Sequence, residues 1–106
     1  YTSEYFDIDV PSPYMLMVAP VKKPKEIPAV THVDGTGRLQ TVDQLNNPRY
    51  YDLIFEFKEI TGVPIILNTS FNENEPVVCR PEEALETFLR TKMDLLVLGN
   101  WMVYRS

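Results

Sequence analysis

Pro64-Ile65-Ile66-Leu67-Asn68-Thr69-Ser70-Phe71-Asn72 passes in one step from a wholly apolar run to a cluster of small hydrogen-bonding side chains. A short apolar run bounded by Gly62 and a polar cluster predicts a buried central strand over 63–67. Strand ends in α/β sheets are where ligands tend to sit, because backbone N–H groups there are not consumed by the ladder. Asn, Thr and Ser supply donors and acceptors without bulk, which suits a phosphate or carbonyl oxygen. Taken alone, a polar turn that satisfies its own backbone explains the cluster equally well.

Working outward, the segment before this run reads as a helix. Asn47 can cap it, Pro48 suits its first position, and Tyr50, Leu53, Ile54, Phe57 and Ile60 form an apolar stripe. Gly62 closes it as a residue able to take positive φ. After the polar cluster a second helix begins at Pro81, with Glu82 and Glu83 in its positive first turn and Ala84, Leu85, Phe88 and Leu89 facing inward. Two strands, 95–98 and 101–104, then flank the tight turn Gly99-Asn100.

Residues 1–13 read as irregular, since Pro11 and Pro13 limit any regular element. Residues 14–21 form an apolar run that reads as a strand, which Pro20 would either break or place at an edge. The stretch 22–28, with its lysines and prolines, reads as a solvated loop. Residues 29–33 and 38–42 flank Asp34-Gly35-Thr36-Gly37, which predicts a hairpin. The sum is an α+β fold in which two helices pack on a mixed sheet.

At 106 residues the chain is the size of one domain, and its 44% hydrophobic content excludes a wholly disordered polymer. A net charge of −5 argues against a nucleic-acid surface. The single cysteine excludes an internal disulfide and fits a reducing, cytoplasmic setting. No apolar run reaches the length of a membrane span.

Few residues can do chemistry. His32 is the only histidine, so neither a histidine triad nor a multi-histidine metal site is available. In the predicted hairpin it reads more simply as a half-buried strand residue than as a ligand. Cys79 precedes the helix at Pro81, where the dipole favours a thiolate, but inert cysteines are the usual case. Ser70 has no base in sequence reach, so contact to an oxygen suits it better than nucleophilic attack. Arg38, at a loop edge, can fork onto a phosphate or carboxylate. Its plainer reading is a rim salt bridge.

These residues, in order, carry a resemblance. Ser12-Pro13-Tyr14-Met15, the run from Ile27 to Val42 with Thr31-His32-Val33-Asp34-Gly35-Thr36-Gly37-Arg38 at its centre, Asn47-Pro48-Arg49-Tyr50-Tyr51, Asn68-Thr69-Ser70-Phe71-Asn72 and Leu96-Val97-Leu98-Gly99 resemble the C-terminal domain of the NodU/CmcH carbamoyltransferases. The likeness runs from about Tyr5 to Arg105. It implies that 1–106 is the C-terminal part of a YrdC-like domain in a larger protein. An N-terminal actin-like ATPase-fold domain of the same chain would precede it. It also implies the chemistry. The YrdC-like domain joins carbamoyl phosphate and ATP, with Mg, into carbamoyl-adenylate. The ATPase-fold domain, which holds an iron, passes the carbamoyl group to a hydroxyl of a small-molecule acceptor. Carried over, Arg38 and Ser70 align with residues that bind phosphate and adenylate groups, while Asn68, Thr69 and Asn72 share the matched loop. With His32 they form the candidate substrate- and nucleotide-binding set; no catalytic residue and no metal ligand is assigned.

The family's basic Arg-Pro-Phe-Ala-Pro segment lies upstream of the Ser-Pro-Tyr-Met motif and is not in this sequence. The chain by itself is therefore expected to be inactive and to self-associate through uncovered apolar surface. Two other readings stand beside this one: a threonylcarbamoyl-adenylate synthase-like domain, and a non-catalytic interaction module.

Overall fold

The computed structural model describes residues 1–105 and falls into two compact units, the first Tyr1–Leu67 and the second beginning at Asn68.

The first unit is organised by an antiparallel ribbon. Strand β1 (Met17–Pro20) pairs with β2 (Thr36–Leu39) in the register Met17↔Leu39, Val18↔Arg38, Ala19↔Gly37 and Pro20↔Thr36. One face of the ribbon, carrying Ala19 and Leu39, closes over Tyr5, Phe6 and Ile27 to make the core of this unit. An isolated two-stranded ribbon is marginal in water, so these aromatics are what hold it. Tyr5 ends a short helix, α1 (Thr2–Tyr5), and Phe6 bridges to Val21. The N-terminal residues are thus structured where the prolines at 11 and 13 predicted irregular chain. The apolar pair Tyr5-Phe6 outweighs them because it is buried.

The expected hairpin between 29–33 and 38–42 does not form. Residues Pro28–Val30 make a 3-10 turn, and β2 takes β1 as its partner instead. The connecting loop closes on itself, with Gly35 N–H donating to His32 O at 2.9 Å and His32 N–H to Thr36 O at 2.7 Å. Helix α2 (Pro48–Thr61) starts after Asn47 and closes at Gly62, which takes φ 80° as expected, but the Asn47 side chain makes no capping hydrogen bond; only its backbone O accepts, from Tyr51 N–H. Its apolar stripe, however, is not a buried face. No residue of α2 is buried, and Leu53 and Ile60 are 58% and 82% exposed. Periodicity fixes which face is apolar but not that something covers it.

The run 63–67 carries no sheet ladder, contrary to the central strand expected there. A strand needs a partner edge, and none of the strands pairs with it. Val63 and Ile65 instead pack against the core of the first unit, while Leu67 is 60% exposed. With Phe57, Pro28 and Val30 this run lines an apolar groove of about 360 Å³. None of the candidate site residues lines it.

In the second unit, helix α3 (Pro81–Arg90) packs on a hairpin of β3 (Leu95–Leu98) and β4 (Trp101–Tyr104) joined through Gly99-Asn100. The Glu83 carboxylate accepts from the N–H groups of Cys79 and Arg80, satisfying donors at the helix start. Ala84 and Phe88 are buried as expected with Leu96, but Thr87 completes that face, and Leu85 and Leu89 stay exposed. The α+β class is as the sequence reads, with the strands arranged as two antiparallel ribbons.

Candidate functional site

Alternation along β2 decides where Arg38 points. Gly37 and Leu39 are buried, so Thr36 and Arg38 lie on the other face. A Cβ at Gly37 would meet Val30 O at 2.9 Å and Phe6 Cε1 at 3.0 Å, so the ribbon lies directly on the core beneath Arg38. The Arg38 guanidinium makes no ion pair or hydrogen bond among the described residues. The rim salt bridge that would have explained it away is absent among them. Among the described residues the guanidinium is an exposed fork of N–H donors without a partner, apt for a bidentate oxyanion.

Beside it sits a hydrogen-bonded chain of three residues. Asp34 Oδ1 accepts from Thr36 N–H at 3.0 Å and from the Thr36 hydroxyl at 2.7 Å. Thr36 Oγ1 also lies 3.0 Å from His32 Nδ1. The hydroxyl has one proton, directed at Asp34, so its oxygen accepts from His32 Nδ1–H. A neutral His32 ring then presents the Nε2 lone pair. The Thr36 hydroxyl first, then the Thr36 N–H, with a smaller contribution from His32, hold the Asp34 carboxyl below the usual range. His32 is therefore an exposed loop residue tethered to β2, not the half-buried strand residue that was expected. Thr36 and Asp34 were not singled out from sequence, although Asp at i and Thr at i+2 before a strand is a recognisable Asx-turn signal.

The second unit holds the rest of the set. Ser70 Oγ donates to Asn72 Oδ1, and Asn72 Nδ2 donates to Glu75 O at 2.7 Å. Val78 N–H donates to Phe71 O at 3.0 Å, closing the loop between them. Asn68, Thr69 and Ser70 are exposed and Asn72 is half-buried. A hydroxyl rotor such as Ser70 can turn its proton from Asn72 to an arriving oxyanion. Cys79 is exposed, its thiol directed at Val77 O at 3.3 Å. Lys22 and Lys23 have acidic neighbours, Asp7 at 3.4 Å and Glu4 at 3.9 Å, and form a surface charge network.

Residues 1–105, which contain both groups of site residues, match the carbamoyltransferase C-terminus family. The chain belongs to that family. Among relatives of this carbamoyltransferase C-terminus, nodulation protein NolNO of Sinorhizobium fredii is 50% identical over 86% of the chain. Nodulation protein NolO of Bradyrhizobium diazoefficiens is 47% identical over 95% of it, and a Synechocystis protein of unassigned function 40% over 97%. The chain spans only 14% of NolNO and 20% of each of the other two. No helix among the described residues of this carbamoyltransferase C-terminus is long and apolar enough to cross a membrane.

Proposed function

We propose that this chain is the C-terminal part of the YrdC-like domain of an O-carbamoyltransferase and contributes to making carbamoyl-adenylate from carbamoyl phosphate and Mg-ATP. An ATPase-fold domain of the same, longer protein then delivers the carbamoyl group to a hydroxyl acceptor. The observation that carries this reading is the Arg38 guanidinium on the outer face of β2, which has no partner among the described residues. In a member of a carbamoyltransferase family, an unneutralised fork of donors is the group that phosphate-bearing substrates require.

The chemistry balances in two displacements. Water and carbamoyl phosphate give carbamate and inorganic phosphate. A carbamate oxygen then bonds to the α-phosphorus of ATP as the bond to pyrophosphate breaks. Both steps concentrate negative charge on phosphoryl oxygens, so positioning and charge neutralisation do most of the work. In the first unit Arg38 would neutralise phosphoryl charge; in the second, Ser70 and the Asn68, Thr69 and Asn72 side chains would supply neutral donors. In a neutral His32 whose Nδ1–H is held by Thr36, Nε2 would accept from an N–H of the carbamoyl group.

The test is pyrophosphate release from ATP and carbamoyl phosphate by the longer protein, comparing parent with Arg38→Ala and following both by thermal melt. A loss of tenfold or more with an unchanged melt supports the reading. Equal release by both proteins refutes it.

A further inference from the structure

The loop that carries Ser70 and Asn72 contains an electrostatic contradiction. Glu73 follows Asn72 directly and Glu75 lies two residues further, so an anion approaching this loop meets two carboxylates. Arg90, in the last turn of α3, reaches both: its Nε donates to Glu73 Oε2 at 3.0 Å and its Nη2 donates to Glu75 Oε1. The other Glu75 oxygen, Oε2, accepts from Asn74 N–H at 3.0 Å, and Glu75 O holds Asn72 Nδ2 at 2.7 Å. Asn72 in turn receives the Ser70 hydroxyl. A continuous set of hydrogen bonds thus runs from the helix to the candidate oxyanion donors.

We infer that Arg90 is a positioning residue that neutralises Glu73 and Glu75 and draws them onto α3, leaving the Ser70–Asn72 pair receptive to a phosphate-bearing substrate. The inference rests on the proposed role of this loop. One guanidinium spans two carboxylates because its donors form a planar fork, a geometry that a lysine ammonium cannot reproduce. Without it, two uncompensated charges within three residues of Asn72 would repel phosphate at close range, where salt screens little.

The experiment measures KM and kcat for carbamoyl phosphate in pyrophosphate release by the longer protein. The variants are Ser70→Ala, Arg90→Gln and the triple variant Arg90→Gln/Glu73→Gln/Glu75→Gln. Arg90→Gln is expected to raise KM about tenfold with a smaller change in kcat, and the triple variant to recover most of that KM. A purely structural brace would stay broken in the triple variant, so recovery identifies charge. If Ser70→Ala raises KM while Arg90→Gln leaves it within twofold, Arg90 has no such role. A triple variant no better than Arg90→Gln also overturns the inference. If Ser70→Ala itself changes nothing, the loop is not a substrate site and the assignment of its residues fails with it.

Discussion

The Thr36 hydroxyl donates to Asp34 Oδ1 across 2.7 Å and its oxygen lies 3.0 Å from His32 Nδ1, so one side chain lowers the pKa of its acidic neighbour and offers an acceptor to the imidazole beside it. Thr36→Val keeps the shape of the side chain and removes that link. The Asp34 carboxyl, held low chiefly by the Thr36 hydroxyl, should then titrate at a higher pH than in the parent. The sign follows from linkage. A depressed carboxyl contributes stability above its unfolded pKa, and that contribution is lost as pH falls through the folded pKa. The variant should therefore be less acid-sensitive in this loop. Carboxyl-carbon NMR titration of Asp34 in both proteins decides it, and identical curves would count against the link.

Gly37 and Arg38 are neighbours with opposite duties, and substitution should separate them. At Gly37 a methyl group would meet the backbone carbonyl of Val30 at 2.9 Å, which has no flexible end to give way. Gly37→Ala is expected to cost about 1–3 kcal/mol through overpacking. Arg38→Lys, on the exposed face, should leave stability within about 0.5 kcal/mol. It keeps the charge and loses the fork, so pyrophosphate release in the longer protein should fall between those of parent and Arg38→Ala. Chemical denaturation beside the activity assay reads both. A Gly37→Ala protein as stable as the parent would mean that β2 can lift from the core.

What the sequence made legible was mainly local. Proline and glycine mark both ends of α2 and the start of α3, and Gly99-Asn100 marks the last hairpin, because each residue acts on its own φ angle. The pairing of β2 with β1 was hidden, since a strand pattern says nothing about which distant edge it will meet. The apolar run 63–67 was read as a strand for the same reason: its composition is that of a buried segment, but a ladder needs a second chain segment alongside. At the candidate site, Arg38 was expected at a loop edge but lies within β2, because Thr36–Leu39 pairs with β1 where the sequence suggests a turn. The Arg90 pairs with Glu73 and Glu75 span 17 and 15 positions, and only the packing of α3 beside that loop brings them together.

Phe88 should prove the anchor of the second unit. It is 2% exposed and packs in one cluster with Ala84 and Leu96. Phe88→Ala removes a full aromatic ring from a small core that has little else to collapse into the space. The expected loss is about 3–5 kcal/mol. Leu89→Ala, one position on and 63% exposed, should cost well under 1 kcal/mol beyond helix propensity, roughly its surface value. Urea titrations of the two variants check the contrast, and comparable losses would show that α3 packs through a different face.

The final prediction concerns how α3 is tied to the hairpin that follows it. Arg105, just past the end of β4, donates from Nε to Met93 O at 3.0 Å and from Nη2 to the carbonyls of Phe88 and Thr91. Its guanidinium also lies 4.8 Å from the Phe88 ring centroid. The last carbonyls of a helix have no partner within it, and cations are favoured at that end by the helix dipole. Arg105 thus serves as the C-terminal cap of α3 while fixing the last strand against it. Arg105→Met keeps the apolar stem and removes every donor, so the Thr91 carbonyl must find water and Phe88 O keeps, among the described residues, only the long contact from the Thr91 hydroxyl at 3.4 Å. Hydrogen bonds from a charged group contribute about 1.5–3 kcal/mol, which sets the expected loss. Arg105→Lys should recover only part, because one ammonium cannot reach carbonyls on both sides of Thr91 with a planar fork. Amide exchange gives the local readout: in Arg105→Met, the Thr91 N–H, which donates to Thr87 O at 3.0 Å, should exchange faster along with the β3–β4 ladder. Unchanged protection at Thr91 would mean that the helix end is held by Thr87 and Thr91 alone.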